Sequence, residues 1–331
     1  MKIDEIGIFL PEQIETNKML SQEFPEWDSE KVSAKIGIDQ RHKAKDNETA
    51  VDLAISACEK ILNDDLKKEI DFILFCTQSP DYYLPTSACI IQEKLDLGTN
   101  VGALDYNLGC SGYVYGLALA KGLLSTGVSK KLLLITAETY SKHINKLDIA
   151  NRAIFGDGAA VTILSNDNHS SQIGEFVLGS DGSGKDNLIV KNGGFRSPTK
   201  PNARLIEYGT GNQYTENNIY MNGPEIFNFT IANIPPLVNA VLDKNGMTLD
   251  DVDYFIFHQA NVHMLNYLRR KSKIPKEKFH VHMAKTGNTV SATIPIALKS
   301  CLDQNIIKKN NKVMLVGFGV GYSWGGTIIT I

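Results

Sequence analysis

The chain has 331 residues, 43% of them hydrophobic and 21% charged, a length that suggests roughly two domains around a large buried core. With 34 Lys and Arg against 37 Asp and Glu its net charge is −3, too near neutral for a protein whose whole surface binds nucleic acid. No apolar run approaches the roughly eighteen residues of a membrane span, and MKIDEIGIFLPEQ lacks the basic start and long apolar stretch of a secretion signal, so the expected location is cytoplasmic.

Taken in chain order, β-branched runs closed by small or polar residues predict strands over 70–77, 101–107, 131–137, 159–164, 252–258 and 313–317. Helical periodicity falls between them, over 49–62, 87–95, 111–124, 225–245, 262–271 and 290–304, each opened by a turn or capping residue. Such alternation predicts an α/β protein with mostly parallel, buried sheets. The order is also doubled. DFILFCTQ, GALDYN, KKLLLITAE and AAVTILS in the first half are echoed by DVDYFIFHQ, GNTVSAT, KVMLVGFG and GTIITI in the second, in element order rather than residue identity. Between the halves, residues 182–223 are rich in Gly, Asn and Pro and read as a long surface excursion, either a substrate-facing lid or a disordered connector.

Five cysteines (Cys58, Cys76, Cys89, Cys110 and Cys301) are scattered without a CxxC pair, which argues against a disulfide framework and against a zinc site. Cys110 stands apart. In DYNLGCSGYVYGLALA a strand ends, a glycine turns the chain and a helix begins, so the sulfur is expected at a helix N-terminus, where free N–H groups favour the thiolate. The other four read as small buried apolar residues, and that bland reading stands for Cys110 too when it is taken alone. His258 ends DVDYFIF and opens HQAN, at the carboxyl end of a strand, where ligands collect in open α/β sheets. No comparable context surrounds His42, His143, His169, His263, His280 or His282. Asn288 lies in the Gly–Asn turn of KTGNTVSATIP and by itself reads as a turn or cap residue. GFGVGYSWGG places Gly317, Gly319, Gly321 and Gly325 just after a strand, where backbone can approach a ligand closely. It lacks a GxGxxG pattern opening a helix, so a dinucleotide site is rejected.

Together with IGIDQRH, YLPTSACIIQ, GCSGY, IFGDGAA, YMNGPEIF, HQAN, GNTVSAT and GFGVGYSWGG, these residues resemble the ketoacyl-acyl carrier protein synthase III family of the thiolase superfamily, over nearly the whole chain. The spacing agrees, His258 following Cys110 by 258 − 110 = 148 residues and Asn288 following His258 by 288 − 258 = 30. The resemblance implies a thiolase-like α/β fold of two pseudo-repeated halves stacked as five αβαβα layers in a homodimer. Residues 1–170 would carry the nucleophilic cysteine and residues 171–331 the histidine and asparagine. It further implies a decarboxylating condensation of an acyl thioester with malonyl-acyl carrier protein through an acyl-cysteine, with no cofactor or metal. Cys110 would be the nucleophile, His258 and Asn288 would hold the malonyl carbonyl, and the N–H groups of Cys110 and Val320 would form the oxyanion hole. Phe318 would pack near the His258 ring. Leu84, where primer-limiting members often carry Phe across the dimer interface, would open the acyl tunnel to something longer than acetyl.

RRKSKIPKEK has six basic residues and one acid, a local net of 6 − 1 = +5, and its Arg269, Arg270 and Lys271 are expected to dock an acidic acyl carrier protein. Three departures bear on the donor. The Arg that usually follows HQAN by one position is His263, the usual aromatic four residues before Lys35 is Lys31, and the Arg usual upstream of IFGDGAA is displaced to Arg152. These positions normally grip the coenzyme A nucleotide, so acyl-coenzyme A is placed in doubt as donor and acyl carrier protein becomes a real alternative. Val320, where glycine is commoner, crowds the oxyanion turn but keeps its N–H. Two rival readings remain: an acyltransferase that passes the acyl group from Cys110 to a hydroxyl or amine, and a non-catalytic partner subunit. Intact Cys110, His258 and Asn288 argue against both.

Overall fold

The computed structural model describes residues 1–166 and 172–331. The expected boundary at 170/171 and His169 therefore lie outside the described residues. The first half runs β1 (Lys2–Phe9), β2 (Gln13–Thr16), α1 (Asn17–Glu23), α2 (Ser29–Ile36), β3 (Gln40–Lys43), α3 (Ala50–Glu59), α4 (Asp64–Glu69) and β4 (Phe72–Cys76). It continues through α5 (Ser87–Lys94), β5 (Gly102–Tyr106), α6 (Gly112–Ser125), β6 (Lys131–Glu138), α7 (Ile149–Ile154) and β7 (Gly158–Ser165). The second half begins with the short strands β8 (Val177–Ser180), β9 (Leu188–Val190), β10 (Ile206–Tyr208), β11 (Asn212–Tyr214) and β12 (Ile219–Met221). Then follow α8 (Gly223–Lys244), β13 (Tyr254–Phe257), α9 (Val262–Lys271), β14 (Phe279–His280), α10 (Thr293–Asp303), β15 (Lys312–Gly319) and β16 (Ser323–Thr330).

Two five-stranded sheets form among the described residues, ordered β1-β7-β6-β4-β5 and β8-β16-β15-β13-β14. Taken strand for strand the orders are equivalent, which gives the doubled element order of the sequence a structural meaning. Each sheet is mixed, with two parallel and two antiparallel pairings, rather than mostly parallel. β15 and β16 follow one another across three residues, which only antiparallel pairing allows, and β6 and β7 pair the same way although α7 lies between them.

Layering follows from the period-2 alternation of side chains. Ile73, Phe75, Leu133 and Ile135 face Ala54, Ala57 and Ile91 of α3 and α5. Leu74, Leu132 and Leu134 point the other way, into a layer of Tyr113 and Leu117 from α6 with Leu298 and Cys301 from α10, which also receives Ile256, Val313 and Leu315 of the second sheet. Phe255, Phe257, Met314 and Val316 then meet Val238 and Val241 of α8 and Leu265 and Leu268 of α9. The result is helices, sheet, helices, sheet, helices: the five-layered αβαβα stack. Strands buried on both faces are continuous apolar runs, which is why LLLITA and VMLV were legible. The 182–223 excursion is ordered and carries β9 to β12, with β9 pairing β12 and β10 pairing β11.

Leu117 lies on the face of α6 that is fully buried between the two sheets, with no solvent to relax into. Leu117→Ala is expected to cost about 2–5 kcal/mol, read from the urea midpoint.

Candidate active site

Cys110 follows β5 and precedes α6, as the strand–turn–helix motif requires, and it is buried. Its Sγ faces the backbone N–H groups of Cys110 and Val320, and among the described residues neither N–H has another acceptor. These two donors converge where an oxyanion on an acyl-sulfur adduct would sit. Gly319 presses on the thiol from the other half: a Cβ there would lie 2.9 Å from Sγ. The helix end does not hold a thiolate in this resting site. Burial, with Glu138 nearby, pushes the Cys110 thiol up to about 12, and the two amides only partly offset that rise. The expected thiolate is thus corrected to a neutral thiol, because desolvation of a sulfur anion outweighs the partial charge of the helix end.

His258 continues β13, its N–H donating to Val316 O at 2.8 Å, and its ring stands edge-on to Phe318 at 5.5 Å. Burial pulls the imidazole down to about 3, so it is neutral at physiological pH. Nδ1 lies 2.8 Å from Thr293 Oγ1, which in turn donates to Val290 O at 3.1 Å. Nε2 lies 3.5 Å from Asn288 Nδ2. The Asn288 amide is oriented by Val290 N–H, which donates to Oδ1 at 2.9 Å. Its backbone is tied to the IFGDGAA turn, Asn288 N–H donating to Ile154 O at 2.9 Å and Gly156 N–H to Asn288 O at 3.0 Å. Two motifs far apart in sequence thus hold one side chain.

Cys110, His258, Asn288 and Phe318 line a single cavity of about 150 Å³, completed by apolar groups including Leu188, Met221, Ile226 and Met264. The excursion therefore faces this cavity, through Leu188 and Met221. Gly223 and Asn261, at the starts of α8 and α9, also line the cavity.

Other expected positions lie elsewhere. Leu84 is 80% exposed beside exposed Tyr82 and Tyr83, and it does not line the cavity of its own chain. Arg269 is turned inward, donating from a guanidinium NH2 group to Ile274 O at 2.9 Å, so only Arg270 and Lys271 of that trio are outward-facing. Arg152 is held by Glu15 and Glu23, each at 2.8 Å. His263 stacks on Phe227 at 5.7 Å, and Lys31 is exposed on α2. Cys89 is exposed rather than buried. Among the described residues no group of three or more His, Cys, Asp or Glu is placed to hold a metal, and no helix is long and apolar enough to cross a membrane.

The sequence reading missed Glu138. It is fully buried at the end of β6, accepting from Gln78 N–H at 3.0 Å, Ser79 Oγ at 3.2 Å and Ser291 Oγ at 2.8 Å. Burial pushes its carboxyl up to about 8. A charged residue closing an apolar strand was the available signal. Thr293 was also missed, hidden as an ordinary helix-start residue.

The family description "3-Oxoacyl-[acyl-carrier-protein (ACP)] synthase III" matches residues 104–182, and its C-terminal counterpart matches residues 242–331. A beta-ketoacyl-[acyl-carrier-protein] synthase III of Clostridium perfringens is 36% identical over 332 residues, covering 100% of this chain and 99% of that protein. The chain belongs to the 3-oxoacyl-[acyl-carrier-protein] synthase III family. Its thiolase-like fold is shared with a crystal structure of a 3-oxoacyl-(acyl-carrier-protein) synthase III, at 46% identity and a TM-score of 0.97 with 99% of each chain covered. A 3-oxoacyl-(acyl-carrier protein) synthase from Burkholderia xenovorans LB400 is similar at 35% identity and a TM-score of 0.91, covering 100% of this chain and 93% of that one.

For this member of the synthase III family, a buried neutral thiol has a measurable signature. Iodoacetamide labelling at Cys110, read by peptide mass, is expected to accelerate about tenfold per pH unit from pH 7 to 10 without a plateau. A plateau below pH 8 would mean that the helix end wins over burial.

Proposed function

We propose that this chain is a decarboxylating condensing enzyme in which Cys110 is acylated by a thioester and then attacked by a malonyl-derived carbanion. The observation that carries this reading is the convergence of Cys110, His258 and Asn288 on one mostly apolar cavity, with two uncommitted N–H groups at the sulfur.

In the first step the Cys110 sulfur attacks the thioester carbonyl. Its proton passes to a base, and His258 Nε2 is free to accept it when Nδ1–H donates to Thr293 Oγ1 and Thr293 donates to Val290 O. Collapse of the adduct expels the donor thiol, which takes that proton, and leaves the acyl-cysteine. In the second step a malonyl thioester places its carbonyl oxygen against Asn288 Nδ2 and His258 Nε2. Rotation of the Thr293 hydroxyl toward Nδ1 supports the tautomer in which Nε2 carries the proton and donates. The bond to the carboxylate breaks, carbon dioxide leaves, and the electron pair becomes an enolate held by these two donors. Its carbon attacks the acyl carbonyl, the oxyanion forms against the N–H groups of Cys110 and Val320, and collapse gives the 3-oxoacyl thioester and expels the Cys110 sulfur as a thiolate, which takes a proton from solvent to restore the thiol.

Carrier protein is the favoured donor, since Arg152 is committed to Glu15 and Glu23 and Lys31 and His263 offer no aromatic sandwich for a nucleotide. Arg270 and Lys271 are read as its docking residues. A homodimer through the exposed edge of β5, with Leu104 and the Tyr82–Leu84 loop, would carry Leu84 to the acyl pocket of the second copy. No membrane helix is needed for any of this, and the location is read as cytoplasmic.

Intact mass and product analysis separate the steps. Cys110→Ala is expected to take up no acyl group. Asn288→Ala is expected to acylate normally but to condense about a hundredfold more slowly, whereas His258→Ala slows both steps. No condensation by the wild-type protein, with acyl-Cys110 discharged to a hydroxyl or amine at a rate that Asn288→Ala leaves unchanged, would favour the acyltransferase reading. The double change Arg270→Glu and Lys271→Glu is expected to raise KM for carrier protein roughly tenfold at low salt, an effect that fades as ionic strength rises.

A further inference from the structure

A second cavity, of about 360 Å³, adjoins the first: Leu188 lines both, and Val320, whose N–H faces the Cys110 sulfur, forms one of its walls. Neither His258 nor Asn288 lines it. A Cβ on Gly109, the residue before the nucleophile, would lie 2.7 Å from Gln78 Oε1 and 2.8 Å from Val320 Cγ1, so the Gln78 carboxamide stands at the nucleophile turn itself. Cys110 itself lines only the first cavity, but if malonyl takes the space beside His258 and Asn288, the neighbouring cavity past Val320 is what is left for the acyl chain. That step rests on the condensing reading above.

The cavity is not lined as an alkyl chain would require. Leu188, Ile189, Val190 and Ile219 supply apolar wall, but Gln78, Asn107, Tyr140 and His143 also face it. Tyr140 hydroxyl donates to Gln78 Oε1 at 2.8 Å, and Gln78 Nε2 donates to Asn107 Oδ1 at 3.0 Å. The second Nε2 hydrogen of Gln78 and the Nδ2 group of Asn107 have no partner among the described residues. His143 lies with Nε2 3.3 Å from Gln78 O. Lys185, also on the wall, is paired with Asp186 in an exposed contact, so the cavity presents hydrogen-bond donors and acceptors and one cation that carries its own counter-ion. An alkyl chain would strip water from these groups without replacing its hydrogen bonds, and a carboxylate would meet a cation already balanced by Asp186. A hydroxyl, which both donates and accepts, meets both demands.

We propose that this second cavity holds the acyl chain of acyl-Cys110 and selects a short acyl group bearing a hydroxyl over an all-alkyl or carboxylated one. Gln78 and Asn107 are the specificity-determining residues.

The test is the initial rate of Cys110 acylation, by intact mass, from acyl carrier protein and in parallel coenzyme A loaded with butyryl, each enantiomer of 3-hydroxybutyryl, 4-hydroxybutyryl or succinyl. At least one hydroxybutyryl donor is expected to react roughly tenfold faster than butyryl, with succinyl slowest. In Gln78→Leu, and in Asn107→Ala as a change at an exposed position, that ratio is expected to fall toward one, with butyryl speeding up in Gln78→Leu. Butyryl reacting as fast as every hydroxybutyryl donor in the wild-type protein overturns this proposal alone and leaves the condensing reading standing. An unchanged ratio in both variants overturns the assignment to these residues. No adduct from any donor overturns the reading and this proposal together.

Discussion

Only a hydrogen atom fits between Gly319 and the sulfur of Cys110. The same crowding recurs one step along: a Cβ on Gly317 would lie 2.8 Å from Ser111 Cα. Backbone of β15, from the second half, is thus pressed against the nucleophile turn of the first. Ser111 and Ser323 clasp the two halves beside it through a 2.6 Å hydroxyl contact, and the Ser111 hydroxyl makes no cap on its own helix. Everything the site does depends on this seam. Cys110 and one of the two N–H groups at its sulfur belong to the first half, the N–H of Val320 with His258 and Asn288 to the second. Their relative placement is set by two sheets packed through a shared layer of α6 and α10, with the site residues at strand ends and in the turns beside them, and a packed interior does not deform continuously.

Burial at that seam also fixes the charge state. The Cys110 thiol, the His258 imidazole and the Glu138 carboxyl are all driven by desolvation toward their neutral forms. For the reading proposed here this is an advantage in the second step. A malonyl carboxylate entering such a cavity gives up hydration and finds no cation, whereas carbon dioxide has no charge to solvate. The negative charge then migrates to oxygens that face Asn288, His258 and the two backbone amides. Neutral donors serve that purpose because they are in place before the charge arrives.

Much of this was legible in the chain. Strands buried on both faces must be uninterrupted apolar runs, and helices covering them must be periodic, so the central elements of the stack were found, whereas the edge strands β1, β8 and β14 were not. The doubled order of LLLITA and VMLV elements carried the pseudo-repeat. What escaped were elements stabilised by tertiary contacts. β9 to β12 are three residues each, too short for a period to register, and Tyr208 holds its hairpin in place by donating to Asp148 at 2.6 Å. α1, α2, α4 and α7 are six to eight residues long and bury few side chains. For the site, the junction residues Cys110, His258 and Asn288 stood at the ends of readable strands or in readable turns. Thr293, Gln78 and Tyr140 did not, because their roles depend on which atom each side chain meets. The inward turn of Arg269 was hidden for the same reason, since a guanidinium reads as surface until a carbonyl such as Ile274 O is found beneath it.

The displaced Arg152 shows how one ion-pair cluster bears on the choice of donor. Glu15 sits among Arg41, Lys43 and Arg152, at 3.4, 3.3 and 2.8 Å, and Glu23 takes the other arm of Arg152 at 2.8 Å. These cations hold both carboxylates below their usual range despite the partial burial of Glu15, and Arg152 is raised in turn by its two partners. To grip a nucleotide phosphate, Arg152 would have to leave a half-buried carboxylate without its shortest partner, and the phosphate would arrive beside two acids. A donor whose pantetheine arm is tethered to a protein needs no such grip. In the reading proposed above, its binding energy would be gathered at the outer surface, where Arg270 and Lys271 stand in solvent. On that reading the cluster that holds Arg152 leaves the apolar cavity as the feature recognised and shifts charge recognition outward to α9.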